Sequence, residues 1–238
     1  MSRYVILSPC CPQPVLDLLE EQGCHIIVTK QQKNMPLAEQ YHADLQAFAP
    51  DEHTLVAAPG VWEEYRWELE PVGIRVLRGR TDSNGHYPAT AAYNIARVGS
   101  TAFGLGAGVD PVVLEELEKR RVSFCPVRQG YAACSVAAVS DRAVITSDRG
   151  ITAAAKRAGM ECLLVSPEGI LLPGCEHGLI GGCFGEIRPG LLIAAGDVSL
   201  YPWGKEALAL FARHGARLIQ HRGHELFDFG GMLSLEGK

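Results

Sequence analysis

The feature that most constrains the fold of this chain is a repeated way of ending a helix. Four predicted helices end in a glycine that is followed at once by an apolar strand, at Gly23, Gly73, Gly159 and Gly215. Glycine closes a helix well because it adopts the left-handed backbone conformation without a steric penalty. A fifth copy carries Arg121 at this position. A repeat of about 40–55 residues is typical of solenoids, propellers and closed arrays, so an array of similar units is predicted.

Each unit is predicted to run strand, strand, helix, strand. In the clearest copy the strands are residues 135–139, 143–146 and 162–165, and the helix covers residues 153–158. Another unit is predicted to be divided between the two ends of the chain. Its first strand is residues 231–235, and its remaining parts are residues 4–7, 15–22 and 25–28. Pairing the two ends in one sheet would close a ring and remove a sheet edge.

Polar or glycine-rich stretches are predicted as loops between the units. These stretches are residues 30–50, 78–88, 129–133 and 168–178. A chain of this length with 47% hydrophobic residues can bury a large core, as one domain or two small ones. The closed ring of units predicts one domain over residues 1–238.

Composition excludes several classes of function. The net charge is −5 and no lysine or arginine cluster is evident, so no nucleic-acid partner is expected. No apolar run is long enough to span a bilayer and no signal-peptide pattern is present, so we expect no membrane partner. None of the eight cysteines forms a C-x-x-C pair, so zinc-finger spacing is absent. Because no signal-peptide pattern is present, we expect reduced thiols and a cytoplasmic location.

No cofactor or metal is expected from the motifs. Residues 103–108 contain a G-x-G-x-G run after a strand, which differs from the dinucleotide fingerprint, and no acidic residue ends the following strand. His221, His224 and Asp228 precede the last strand, but their spacing is not that of a rigid metal site.

The five units, together with residues 93–99, resemble the α/β propeller of the guanidino-group-modifying superfamily. Arginine and agmatine deiminases, dimethylarginine dimethylaminohydrolases and amidinotransferases belong to it, and a ribosome-binding translation initiation factor shares its architecture without catalysis. Residues 129–135, 145–148 and 178–182 are similar to a bacterial branch for which the resemblance implies no particular reaction. The resemblance implies an α/β fold, a five-bladed pseudo-symmetric propeller whose last unit is closed by both termini.

The resemblance also implies where catalytic residues should lie. Superfamily enzymes carry a cysteine nucleophile on the first strand of the last unit, after a glycine pair, where this chain has Ser234. They carry a His-x-Asp pair on the first strand of the fourth unit, where residues 181–186 contain neither residue. A serine without a general base is a poor nucleophile, so the superfamily catalysis is expected to be lost or altered.

Two carboxylates are the leading candidates for ligand binding. Asp148 and Asp197 follow the second strand of two units, and equivalent positions of a ring converge on its axis. They would bind a guanidinium or ammonium group through charge-assisted hydrogen bonds. The alternative is that each carboxylate caps its own helix.

The remaining candidates are a polar group, two thiols, a histidine and a hydroxyl. Asn94 is expected at the axis, where its amide would orient a polar ligand or satisfy backbone groups. Cys134 and Cys183 are candidate reactive or ligand-contacting thiols, against the alternative of inert buried thiols. His177 is a candidate general acid or base, against the alternative of an exposed loop histidine. Ser234 completes the expected ligand-binding set.

Three functional hypotheses stay open at this stage. The first is an axial site for a small guanidino or amino cation, with Cys134 and His177 as candidate catalytic groups. The second is a non-catalytic propeller that binds a protein or the ribosome. The third is a conventional hydrolase that uses Ser234. The oligomeric state is left open.

Overall fold

The computed structural model describes residues 2–238. Their strands, in chain order, are β1 (Ser2–Leu7), β2 (Cys24–Val28), β3 (Ala47–Asp51), β4 (Thr54–Ala57), β5 (Arg75–Arg78), β6 (Ala96–Val98), β7 (Thr101–Leu105), β8 (Ser123–Val127), β9 (Val136–Ser140), β10 (Ala143–Thr146), β11 (Glu161–Leu164), β12 (Ile170–Leu171), β13 (Phe184–Arg188), β14 (Leu191–Ala194), β15 (Arg217–Gln220), β16 (Leu226–Phe227) and β17 (Met232–Gly237).

The α-helices are α1 (Gln13–Glu21), α2 (Ala43–Gln46), α3 (Trp62–Leu69), α4 (Pro111–Lys119), α5 (Ala132–Ser135), α6 (Arg149–Arg157) and α7 (Gly204–Arg213). Short 3₁₀ helices lie at Glu70–Val72, Ala89–Ala91, Gly106–Gly108, Ile180–Cys183 and Val198–Leu200. In the part of the chain that the structure describes, no helix is both long and apolar enough to cross a membrane.

Within residues 2–238 the strands form five three-stranded sheets with one shared layout. The sheets are β17-β1-β2, β3-β4-β5, β6-β7-β8, β9-β10-β11 and β13-β14-β15. In each sheet the first strand is antiparallel to the second, a helix follows, and the third strand is parallel to the second. This confirms the predicted unit, including the one whose first strand, β17, pairs with β1 from the other end of the chain.

The core follows from this layout. The second strands β4, β10 and β14 are buried along their whole length because neighbours cover both faces. The third strands are more exposed, and the helix of each unit packs against its own third strand, as α3 does on β5 and α6 on β11. An apolar run with both faces covered is the expected sequence of such a central strand.

The repeated helix ending is present in the structure. Gly23, Gly73, Gly159 and Gly215 have φ angles of 74°, 85°, 78° and 66°, in the left-handed region. Arg121 has φ 55° and is the one non-glycine residue of 2–238 with a positive φ. The geometry of the unit is therefore kept in the copy that lacks the glycine, at a conformational cost to an L-residue.

The prediction that residues 30–50 form a loop is wrong in its second part. This stretch contains α2 and most of β3, and β3 pairs with β4 through a register irregularity between Phe48 and Asp51. Pro50 lies inside that irregularity, where its missing N–H removes no ladder hydrogen bond. The strand was not predicted because alanine and proline are weak strand formers.

The first strands of three units, predicted at residues 92–98, 135–139 and 182–187, also begin earlier in the sequence than in the structure. The observed strands are β6, β9 and β13, and a short helical turn precedes each of them. These turns are Ala89–Ala91, α5 and Ile180–Cys183, and α2 precedes β3 in the same way. We call these four segments the leading turns. Because the first strands of neighbouring sheets contact one another, as β6 contacts β9 and β17 contacts both β3 and β13, the leading turns lie near each other.

Candidate functional site

The leading turns bring a thiol, an amide and a carboxyl group together. The Cys134 thiol of α5 donates a hydrogen bond to Asp44 Oδ2 of α2 at 2.9 Å. Asn94 Nδ2 donates to Cys134 Sγ at 3.2 Å and to the Asp44 carbonyl oxygen at 3.4 Å. Asn94 Oδ1 accepts from the N–H groups of Ala133 and Cys134, at 2.7 and 3.3 Å. One buried amide therefore fixes the positions of the other two groups.

Asp228 adds a second buried carboxyl group from the segment before β17. Its Oδ2 accepts from Leu179 N–H at 2.8 Å and its Oδ1 from Gly230 N–H at 3.0 Å. The parallel pair β12–β16 holds this segment against the leading turn Ile180–Cys183. A Cβ atom at Gly182 would overlap the Asp228 carboxylate, so glycine at that position is required by a close approach.

His42 and Glu39 complete the group. His42 precedes α2 and is 4% exposed, and a Cβ at Gly230, whose φ is 81°, would overlap its imidazole ring. Glu39 Oε2 accepts a hydrogen bond from the Tyr131 hydroxyl at 3.1 Å. We call Glu39, His42, Asp44, Cys134 and Asp228 the acid–thiol cluster.

The carboxyl groups of this cluster are poorly compensated. Among residues 2–238, no lysine or arginine forms an ion pair with Glu39, Asp44 or Asp228. Burial raises the pKa of all three, and that of Asp44 reaches about 8 despite the hydrogen bond from Cys134. The Asp44 carboxyl is therefore mostly protonated at neutral pH, which is how an isolated buried acid avoids ionising.

The same environment keeps the thiol and the imidazole neutral. Burial, followed by the charges of Asp44 and Asp228, raises the pKa of Cys134 well above its ordinary value. Burial lowers the pKa of His42, against the opposing effect of Asp228. A cation placed among these groups would favour the thiolate and the carboxylates, because an opposite charge stabilises the ionised form.

A cavity of about 530 Å³ adjoins the cluster. Asp44 lies in its wall with Ala133, Gly181 and Gly231. Its sides combine apolar residues such as Phe48 and Phe184 with charged ones of both signs, which are Arg3, Asp51, Glu52, Arg97, Asp141, Glu186 and Arg188. This volume is in the usual range for small-molecule sites. A ligand in the cavity would reach Asp44 first among the groups of the acid–thiol cluster.

Of the residues singled out from the sequence, the structure brings Asn94 and Cys134 together in this site. Cys183 is fully buried on a neighbouring leading turn, where burial, followed by the charge of Asp228, raises the pKa of its thiol. His177 is half-buried, with Nδ1 3.1 Å from the carbonyl oxygen of Gly178. Ser234 lines the cavity and donates to the Ile187 carbonyl oxygen at 2.7 Å.

The two leading carboxylate candidates lie at helix N-termini. Asp148 caps α6 by accepting from Ile151 N–H at 2.7 Å. Asp197 caps the 3₁₀ helix Val198–Leu200, with Ser199 N–H at 3.0 Å. In the described residues no hydrogen bond joins either carboxylate to the acid–thiol cluster. This is the arrangement expected from the capping alternative.

Two residues of the acid–thiol cluster, His42 and Asp44, were not predicted from the sequence. The signal was present, because residues 42–44 read His-Ala-Asp, the same His-x-Asp pair that superfamily enzymes carry in another unit. It was sought on the first strand of the fourth unit, whereas the structure places it just before β3, in a stretch predicted to be a loop.

The sequence profile of DUF6873, a family of unknown function, matches residues 6–233. The chain belongs to that family. No curated protein matches it significantly.

Three solved structures with a similar fold are a DDAH and two amidinotransferases. DDAH from Pseudomonas aeruginosa, a cysteine-to-serine mutant in complex with citrulline, superposes with a TM-score of 0.58 at 11% identity, covering 99% of each chain. The amidinotransferase SxtG of Microseira wollei, from the saxitoxin biosynthetic pathway, gives 0.55 at 11% identity, with 92% of this chain and 88% of SxtG covered.

The inosamine-phosphate amidinotransferase of Streptomyces griseus gives a TM-score of 0.58 at 11% identity, with 95% of this chain and 79% of that enzyme covered. These similarities confirm the predicted resemblance to the guanidino-modifying superfamily at the level of fold. At this identity they say nothing about which residues act, since one fold supports many functions.

Proposed function

We propose that this protein binds a small organic cation, with a guanidino or amino group, at the acid–thiol cluster. The observation that carries the proposal is the set of two buried carboxyl groups, Asp44 and Asp228, and the half-buried Glu39, with no lysine or arginine paired to them in residues 2–238. A planar guanidinium group provides both the missing charge and a row of N–H donors that match carboxylate oxygens.

The architecture supports an axial position for this site. We infer that the five sheets close into a ring, a five-bladed α/β propeller, because β17 contacts β3 and β13 while β6 contacts β9. In such a ring the leading turns surround the axis, and the cavity extends from them between the first strands. The structural neighbours act on or bind guanidino-related molecules according to their names, citrulline in one case.

The cluster also contains the groups for thiol chemistry, in a different arrangement from the one the superfamily pattern predicts. His42 and Asp44 come from one unit and Cys134 from another, two units further along the chain. We propose that the thiol is inactive without ligand, because burial, followed by the charges of Asp44 and Asp228, raises its pKa, and that a bound cation favours the thiolate. Catalysis is thus altered and depends on the ligand.

The test is a thermal-shift screen against arginine, agmatine, methylarginines, creatine, polyamines and neutral controls. Ammonia and urea release is read in the same wells. A ligand at one hundred times its Kd stabilises the folded state by about 2.7 kcal/mol. We expect guanidines to raise the melting temperature of the wild type, while the gain is lost in Asp44→Asn.

Matched variants locate the ligand. Asp148→Asn and Asp197→Asn remove carboxylates at the two helix caps, and we expect both to keep the ligand-induced shift. Loss of the shift in these variants but not in Asp44→Asn would move the ligand to the two capping carboxylates. If no compound in the screen raises the melting temperature, the proposal is refuted and a protein partner is favoured. Stabilisation without product release would indicate a carrier or sensor rather than an enzyme.

A further inference from the structure

We propose that His42, Asp44 and Cys134 form a binding site for a divalent metal ion of the zinc class. The proposal goes beyond the binding of an organic cation and does not rest on it. It starts from a geometric fact: one ring nitrogen of His42, one carboxylate oxygen of Asp44 and Cys134 Sγ all lie within 4.8 Å of one another. Each of the three residues is buried.

The spacing is close to that of an occupied site. Zinc binds sulfur at about 2.3 Å and nitrogen or oxygen at about 2.0–2.2 Å, so tetrahedral ligand atoms lie about 3.3–3.8 Å apart. The three donor atoms therefore need to move by about 1 Å to surround one ion. They sit at the ends of side chains on or just before α2 and α5, and rotation of these side chains is enough for such a change.

Two buried atoms in the group have no hydrogen-bond partner among residues 2–238. They are His42 Nδ1 and Asp44 Oδ1. Buried polar atoms are nearly always paired, and an unpaired one in a native structure calls for a ligand, an ion or a water. Here both unpaired atoms belong to residues of the same three-residue cluster. A metal ion would satisfy both at once.

The chemistry of the donor set selects the metal. An imidazole, a thiolate and a carboxylate suit zinc and related transition metals, whereas magnesium and calcium take oxygen ligands. A neighbouring group supports one of the ligands in the usual way, because Asn94 Nδ2 donates to Cys134 Sγ at 3.2 Å. Three protein ligands leave a fourth position for water or another small molecule.

This metal would compete with an organic cation. Both require the Asp44 carboxylate and the space beside Cys134, so one excludes the other. The competition distinguishes the two proposals, because metal binding is measured with no guanidine present. Failure of the guanidine screen leaves the metal site standing, and failure of metal binding leaves the guanidine site standing.

The experiment titrates chelator-treated, reduced protein with Co²⁺ and then with Zn²⁺. We expect one equivalent of Co²⁺ to produce a thiolate-to-cobalt charge-transfer band, and one equivalent of Zn²⁺ to remove it. The band should be absent in Cys134→Ser. In His42→Gln the apparent affinity for Co²⁺ should fall at least tenfold. Cys183→Ser is the matched control, because Cys183 is a fully buried thiol on a neighbouring leading turn, and it should keep the band.

Zinc X-ray absorption on the wild type decides the question even if a variant fails to fold. One sulfur ligand at about 2.3 Å together with an imidazole is the expected shell. A shell without sulfur, or with two or more sulfurs, would overturn the assignment. So would a folded wild type that binds no metal, or a charge-transfer band that persists in Cys134→Ser.

Discussion

Replacing Asp44 by asparagine should make the protein more resistant to rising pH. The pKa of Asp44 is about 8 in the folded protein, against an ordinary value of 3.8. The folded state therefore holds a proton that the unfolded chain has lost, and stability falls as the pH rises from about 4 to about 8. Each pKa unit corresponds to 1.36 kcal/mol, so the full penalty is about 6 kcal/mol.

Asparagine has the same shape and no ionisation, so it removes this penalty. Between pH 5 and pH 8 the free energy of unfolding of the wild type should fall by about 4 kcal/mol relative to Asp44→Asn. Urea unfolding at pH 5, 6, 7 and 8, without ligand or metal, measures this difference directly. Burial raises the pKa of Glu39 and Asp228 in both proteins, so the comparison measures Asp44 together with its coupling to these two groups.

A carboxylate of opposite behaviour provides the control. Hydrogen bonds from Ser199 and Gly223 lower the pKa of Asp197. Its stabilising effect is therefore complete above its ordinary pKa and is lost only as the pH falls through the lower folded value. Asp197→Asn should lose stability by a constant amount over pH 5–8. If the Asp44→Asn difference is equally constant, the reasoning about an uncompensated buried carboxyl group is refuted.

Three further substitutions test other parts of the structure. Arg121→Gly should raise the free energy of unfolding by about 1 kcal/mol, because an L-residue at φ 55° costs about 1–2 kcal/mol and glycine gives back part of that in chain entropy; an unchanged urea midpoint would contradict this. Asn94→Ala should lower the free energy of unfolding by about 2–4 kcal/mol, since the amide oxygen accepts hydrogen bonds from two backbone N–H groups of α5. Urea unfolding measures this loss, and a loss below about 1 kcal/mol would count against a positioning role. Gly230→Ala should lower the free energy of unfolding by at least about 3 kcal/mol, because the new Cβ overlaps His42. Gly190→Ala, at a similar φ but with open space around it, should lower it by about 1 kcal/mol. Equal losses of melting temperature in the two variants would argue against close packing at Gly230.

Much of the fold could be predicted from the sequence because its signals are local. A glycine after an amphipathic helix, followed by an apolar strand, specifies the helix end and the third strand without knowledge of the rest of the chain. The divided unit could be predicted for a related reason: residues 4–28 contain the last three elements of a unit and residues 231–235 only the first, and the structure pairs the two parts.

The site was harder to predict because it is assembled from several units. Asn94 and Cys134 were singled out as polar or reactive groups near first strands, and they do meet. His42 and Asp44 were missed because β3 is short, alanine-rich and interrupted by Pro50. Asp228 was considered only as a metal ligand with His221 and His224, and its actual position depends on the β12–β16 pair, which has two residues in each strand.

The pairing of β1 with β17 has a consequence for how the chain is made. Leu7 pairs with Met232, so more than two hundred residues separate partners in one sheet. During translation at about 5–20 residues per second, β1 leaves the ribosome early and has no antiparallel neighbour until β17 has also emerged. For at least about ten seconds, β1, whose second half is buried in the folded protein, presents an unpaired edge to other nascent chains. The risk that the nascent chain aggregates is therefore greatest before β17 has emerged. Chaperone demand should fall in a circular permutant that encodes β17 and β1 side by side.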